Sequence, residues 1–321
     1  MTLTPASQDP EAVQRLMAEF VAAADVDVPS WSRAAARQID DRVRSGALTD
    51  LWLWRKAPAP ATGLIWTEIV PAVGRKLHWF LSPADATPAS IERLLRETDD
   101  LGAPGEPVLS ILDWVPGLAP ERWRQWLERR GWQLITRVDL FFPAAASIPT
   151  FVPPTGAAIR SATHADRGEL VDLMESAYSA DLRERALFMV SRDRRVDAER
   201  GIAELLDGTL GEWVASASFV ARFEGRLAGA ILVNLFHGPL ITQVMVEPAF
   251  RRSGVASALL TRSIAAVRAK GLGVPRLVVT DSNLPAVRAY HRFGFIEDPG
   301  TRGGVWLDLH ALAEGEGPGP S

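Results

Sequence analysis

Apolar positions along the chain change period several times, and each change predicts an element. In residues 10–24, Val13, Leu16, Met17, Phe20 and Val21 recur three and four apart, the spacing of a helix, with Asp9 placed to cap it. A second helix is predicted over residues 31–43. Runs at 51–54, 62–70 and 76–81 are short and rich in β-branched and aromatic residues, so they predict strands, broken by Pro58-Ala59-Pro60 and by Gly74. Helix, strand, helix and strand are predicted at 90–101, 108–114, 120–130 and 134–142. Residues 143–157 hold four prolines among small residues and predict a semi-rigid linker. Beyond it come a strand at 158–162, a helix at 169–178 and a charged segment at 182–210, helical around 196–206. A hairpin follows, 213–223 against 227–235, turning at Glu224-Gly225-Arg226.

The pattern is most informative between residues 240 and 295. Leu240 to Val246 is an apolar, β-branched run short enough for a buried strand, ended by Glu247-Pro248. Then comes Arg251-Arg252-Ser253-Gly254-Val255-Ala256-Ser257, and Leu259, Leu260, Ile264 and Val267 take up helical spacing. A strand therefore runs through a short glycine-containing loop into a helix N-terminus, where unpartnered N–H groups and the positive end of the dipole suit a phosphate. Gly254 lets the backbone approach an anion closely, Ala256 and Ser257 leave the amides unscreened, and Arg251 and Arg252 add charge. A second strand, Arg276 to Thr280, leads to Asp281-Ser282-Asn283, which offers N-cap residues, and to Pro285 in the first helical turn. On that helix Ala286 and Tyr290 share a face, and Gly294-Phe295 follows.

These two stretches, in this order and spacing, resemble the signatures of the GNAT acetyltransferase superfamily. Arg251-Arg252-Ser253-Gly254-Val255-Ala256 is similar to its acetyl-CoA pyrophosphate loop, with alanine at the last position, and Asn283-x-x-Ala286-x-x-x-Tyr290-x-x-x-Gly294-Phe295 to its second motif. The resemblance covers about residues 157–310. It implies a mixed, mostly antiparallel α/β sheet flanked by helices, and acetyl-CoA as co-substrate. It also implies direct transfer of acetyl to an amine of a small molecule or a peptide N-terminus in a ternary complex. The amides of Arg252, Ser253, Gly254, Val255, Ala256 and Ser257, with Arg251, would hold the pyrophosphate. The strand end Val244-Met245-Val246 would pair with the pantetheine arm, and Asn283 would touch that arm or cap its helix. Tyr290 would protonate the leaving thiolate, since a phenol near pKa 10 and a thiol near 8.5 are close enough for general acid catalysis. Relatives often carry a glutamate base where this chain has about Leu240 or Val278; Glu247, His237 and Asp281 lie nearby, and none is singled out.

Composition narrows the function classes. There is no cysteine among 321 residues, which excludes disulfides, thiolate metal sites and an acyl-cysteine intermediate. Five histidines show no metal-ligand spacing, and no metal is expected. The net charge of −4 gives no reason to expect nucleic acid or an anionic membrane as partner, which argues against a transferase using aminoacyl-tRNA. The first ten residues lack a signal-peptide pattern and no apolar run approaches 18 residues, so a cytoplasmic protein is expected. A non-catalytic acetyl-CoA-binding module remains the alternative reading, resting on the missing carboxylate base.

The two halves share an element order. Pro120-x-x-Trp123-x-x-x-Leu127-x-x-x-Gly131-Trp132 keeps the spacing of the second motif. This predicts a tandem duplication: a degenerate GNAT-like domain at 1–142, the linker at 143–157, a catalytic domain at 158–312 and a disordered tail at 313–321. In the first copy Ala84-Asp85-Ala86-Thr87-Pro88 stands where the loop belongs and Leu127 where the tyrosine belongs, so one acetyl-CoA per chain is expected. Such a chain would work as a monomer, a pseudo-dimer of its own halves, with a homodimer as the alternative. Nine of the eleven tryptophans lie in residues 1–150, which suits core packing and an interface.

Overall fold

The computed structural model describes residues 2–26, 40–46, 51–55, 59–70, 74–82, 87–98, 108–113, 128–129, 132–178, 193–209, 211–236 and 238–308. It is a mixed α/β fold whose contacts divide the chain into two compact units, residues 1–136 with 303–321, and residues 137–302. The division falls inside two strands, whereas the pattern of residues placed boundaries at 142, 157 and 312. The predicted helices at 31–43 and 120–130 and the C-terminal tail lie largely or wholly outside the described residues.

In the first unit, β1 (Thr2–Pro5), β2 (Leu51–Arg55), β3 (Ala61–Val70) and β4 (Gly74–Leu81) pair antiparallel in sequence. Helix α2 (Pro88–Thr98) then returns the chain so that β5 (Val108–Asp113) lies parallel to β4, in a ladder from Arg75↔Val108 to Trp79↔Asp113. Helix α1 (Pro10–Val26) turns Val13, Leu16, Met17 and Phe20 onto the sheet, as its period predicts, where they bury against Leu53, Leu64, Trp66 and Phe80. Trp54 and Trp66 are fully buried, the core role expected of tryptophans in this half.

The second unit repeats that order. Its sheet runs from residues 137–141 of β6 (Trp132–Phe141) to β12 (Arg276–Thr280), β11 (Pro239–Val246), β10 (Arg226–Leu235), β9 (Phe219–Phe223) and β7 (Ala157–Ser161). A short β8 (Glu212–Trp213) also pairs with β10. Helices α3 (Arg167–Tyr178) and α4 (Arg194–Leu206) cover one face, packing Leu170, Met174, Ile202 and Leu206 on Leu232 and Met245. Helices α5 (Val255–Ala269) and α6 (Leu284–Phe293) belong to the core on the other face, with Ile231, Val233, Ile241, Leu277 and Val279. The proline-rich stretch expected as a spacer packs within this unit. Thr261 Oγ1 donates to the Pro149 carbonyl (2.9 Å), Arg268 donates to the Pro143 carbonyl (2.8 Å), and Phe151 stacks on Phe293.

One departure from regular pairing positions the site. Across β10 and β11, Leu232 faces Gln243 but Val233 faces Ile241, so Thr242 is an extra residue, a β-bulge. A plain strand would put Ile241, Gln243 and Met245 on one face. The bulge instead leaves Ile241, Val244 and Val246 with the α5–α6 core and Met245 with the α3–α4 core. The bulge is pinned by a buried network. Thr242 Oγ1 donates toward Asn234 Oδ1 (2.9 Å), and the Asn234 amide donates to the carbonyls of Leu205 (2.8 Å) and Gly211 (2.9 Å). Strand β11 pairs with β12 only at Leu240↔Arg276 and Ile241↔Leu277; past the bulge the two strands part.

Candidate active site

The parting of β11 and β12 opens a cleft of about 90 Å³. Ile241, Thr242 and Val244 form one wall, and Leu277, Val278, Val279 and Thr280 the other. Asn283, Ala286 and Tyr290 reach it from α6, Tyr178 from the end of α3, and Arg137 from β6. Asn283, Ala286 and Tyr290 of the second motif thus line the cleft, whereas the loop 251–257 does not; Val244 does, on the strand that leads into that loop.

At the end of β11, Pro248–Phe250 forms a single 3₁₀ turn and the chain enters α5 through a left-handed nest: Arg252 has φ 64° and Gly254 φ 92°. Gly254 is the N-cap, and no side chain caps the helix, so the first amides of α5 receive no hydrogen bond from that source. A Cβ on Gly254 would meet nothing within 4 Å, so the space in front of those amides is open. The loop's side chains are partly engaged elsewhere. Arg251 donates to the Ala177 carbonyl at 2.7 Å, tying the loop to the end of α3, and Ser253 Oγ donates to the Phe250 carbonyl at 2.6 Å. Val255 is buried in the core, while Ala256 and Ser257 are half-buried. The groups of this loop that could hold an anion are its backbone amides and the exposed Arg252.

Of the strand-end residues, Val244 lines the cleft, Val246 is half-buried beside the same core, and the Met245 side chain is buried on the opposite face. Asn283 Oδ1 accepts from the Ala286 N–H (3.2 Å) as the N-cap of α6, and the residue also lines the cleft. Tyr290 lies one turn below Ala286 on the cleft face, its ring edge-on to Phe295 at 5.7 Å. Gly294, with φ 111°, ends the helix behind it as a left-handed C-cap.

The sequence-predicted base candidates are elsewhere. Glu247 accepts from Ser176 Oγ at 2.6 Å at the strand end and does not line the cleft, and Asp281 is exposed in a turn. His237 is outside the described residues. The cleft adds four polar residues that motif reading passes over: Arg137, Tyr178, Thr242 and Thr280. The Tyr178 hydroxyl donates to Oε1 of the buried Gln243 at 2.6 Å. No pattern marks Arg137, since a strand pairing 140 residues away in sequence brings it to the site. Among the described residues no histidine, aspartate and glutamate cluster is arranged to hold a metal, and no helix is long and apolar enough to cross a membrane.

Residues 186–295 match the Acetyltransferase (GNAT) family. Over 93 residues the chain is 37% identical to the streptothricin acetyltransferase of Streptomyces lavendulae. That match takes in 28% of this chain and 49% of the relative, so the chain spans about half the length of the curated relative. Among solved structures, a tandem GNAT protein from the clavulanic acid biosynthesis pathway is 14% identical, covering 95% of this chain and 97% of its own with a TM-score of 0.57. A GCN5-related N-acetyltransferase from Sphaerobacter thermophilus is 15% identical, covering 84% of each chain with a TM-score of 0.56. At these identities the likeness is one of fold, and it is the fold of two GNAT-like units in tandem.

Proposed function

We propose that the second unit, which matches the Acetyltransferase (GNAT) family over residues 186–295, moves acetyl from acetyl-CoA to an amine of a small molecule or peptide N-terminus by direct attack. The observation that carries the reading is the edge of β11 beyond Ile241, which among the described residues has no partner strand on the β12 side and runs into the nest that opens α5. The strand edge at Thr242 to Val246 would take the pantetheine arm as an added strand, and the amides from Arg252 to Ser257 would take the pyrophosphate. Acetyl-CoA supplies a thioester, and Tyr290, across the cleft from Val244, would hand its proton to the departing sulfur. Asn283 would hold α6 in register for that transfer. The absence of cysteine agrees with attack by the amine itself.

The test is thiol release from acetyl-CoA in the presence of single amines: streptothricin, amino acids, polyamines and short peptides. Amine-dependent release, with the acetylated amine found by mass spectrometry, is the expected result. Binding of acetyl-CoA with no release for any amine would point instead to a module that only senses the cofactor.

A further inference from the structure

We propose that Asp139 accepts, through one water, the proton that the acceptor amine must lose, and so supplies the base that no described cleft-lining residue provides. The proposal rests on the acetyltransferase reading above. An alkylammonium with a pKa near that of lysine, about 10.4, leaves only roughly one molecule in 10³ nucleophilic at neutral pH, so a proton acceptor is needed. The described lining residues include no carboxylate and no histidine.

Strand β6 supplies one beside the wall. In its antiparallel ladder with β12, Arg137 stands opposite Thr280 and Asp139 opposite Val278. Residues two apart on a strand share a face, and directly opposed side chains lie about 4.5–5.5 Å apart at Cβ. Arg137, Val278 and Thr280 all line the cleft, so Asp139 is the next position along that wall. Its carboxylate is 2% exposed. One oxygen, Oδ2, accepts from Arg276 at 2.8 Å, and the same guanidinium nitrogen holds Asp298 Oδ2 at 2.6 Å. The other oxygen, Oδ1, is buried and has no hydrogen-bond partner. A buried carboxylate oxygen without a donor is rare in folded proteins, and a water at the cleft wall is the donor that would satisfy it.

The charges facing Asp139 are Arg276, Arg137 and Asp298. Burial pushes its carboxyl up from the ordinary value, the Arg276 guanidinium pulls it down, and Asp298 pushes it up again, leaving it raised. That direction suits a base working closer to neutral pH.

The step balances as follows. The ammonium gives a proton to the water as the water gives one to Asp139. The freed nitrogen lone pair forms the N–C bond while the C–S bond breaks and its electrons pass to sulfur. Tyr290 protonates the sulfur and regains a proton from the nitrogen, and Asp139 later returns its proton to solvent. The products are the acetamide, the thiol and one proton.

The experiment uses the full chain and compares wild type, Asp139→Asn and Asp139→Glu on two acceptors. One is the alkylamine that turns over best; the other is hydroxylamine, whose nitrogen is already unprotonated at neutral pH. Asparagine keeps the bond from Arg276. We expect it to lower kcat/KM for the alkylamine about 10²- to 10³-fold at pH 7 and to erase the acid limb of the pH profile, while hydroxylamine changes less than about threefold. Glutamate keeps the ionisable group, so its acid limb should survive with a moved midpoint; an unmoved midpoint overturns the proposal even if the asparagine variant fails to fold. Equal losses on both amines mark a structural role and overturn it, as does an asparagine variant with an unchanged pH profile. A wild type that acetylates neither acceptor overturns the acetyltransferase reading itself.

Discussion

In the proposed reaction Tyr290 protonates the leaving sulfur through its one hydroxyl. Its ring is fixed against Phe295 and by the core behind α6, so Tyr290→Phe removes an oxygen without moving the wall. Turnover should fall by about 10²-fold or more, with the KM for acetyl-CoA changing much less, because the hydroxyl acts on charge that develops in the transition state. Steady-state kinetics under chemistry-limited conditions checks this; unchanged turnover returns Tyr290 to a packing role. A second residue, Asp166, tests the frame of the same unit. It is 2% exposed and accepts from Arg160, Arg222, and the backbone and hydroxyl of Thr163. The Arg160 hydrogen bond, first among these causes, holds its carboxyl far below the ordinary value. A depressed carboxyl contributes stability that is present above the unfolded value, about 3.9, and lost as pH falls through the folded one. Asp166→Asn should therefore destabilise the chain by about 1.5–3 kcal/mol at pH 7, and the gap to wild type should narrow as the pH drops below about 4. Urea midpoints at both pH values measure it. At this scale local motifs located residues in the chain: Gly254 stands in the left-handed nest, and Asn283 and Tyr290 line the cleft. Arg137 and Tyr178 were not legible, because strand pairing and packing bring them to the cleft rather than any spacing along the chain.

Helix α5 must sit close to the sheet for its amides to face the end of β11, and Gly229 sets that distance. A Cβ there would lie 2.8 Å from Val255 Cγ1 and 2.9 Å from the Met245 carbonyl. Gly229→Ala should therefore push the N-terminus of α5 off β10, destabilising by about 1–3 kcal/mol and weakening acetyl-CoA binding in a chain that remains folded. Thermal melts with and without acetyl-CoA separate the two effects; a full ligand-induced shift in the variant would show that the cradle does not depend on this contact. Most elements were evident from their period: the apolar stripe of α1, the strand β12 and the α6 cap all lie where the pattern of residues puts them. The bulge at Thr242 was hidden, because a run of alternating burial gives no sign of one extra residue. Only its partners, Asn234 and the carbonyls of Leu205 and Gly211, reveal it. Yet that residue sits where the pairing of β11 with β12 ends and where the cleft begins.

The two units of the whole molecule follow one plan and differ at one decisive place. In each, an antiparallel hairpin, a helix and a parallel strand follow in order. In the second unit the parallel ladder stops after two pairs; in the first, β4 and β5 stay paired from Arg75↔Val108 to Trp79↔Asp113. Hydrogen bonds between strands thus occupy the gap through which a cofactor arm would enter. The sequence points the same way through Asp85 and Leu127, both outside the described residues. The duplicated order was legible because each copy keeps its periods. The unit boundaries were less so, because they fall within continuous strands where composition does not change. One acetyl-CoA is expected to bind per chain, at the nest of the second unit. Calorimetric titration of the full chain with acetyl-CoA, beside Gly254→Asp, tests it most directly. A side chain at φ 92° and a carboxylate facing a pyrophosphate together should weaken binding by about 2–3 kcal/mol, roughly 30- to 150-fold. Wild type should give a stoichiometry of one and the variant this loss; two sites, or a single site that Gly254→Asp leaves intact, would rule out one acetyl-CoA held at this nest.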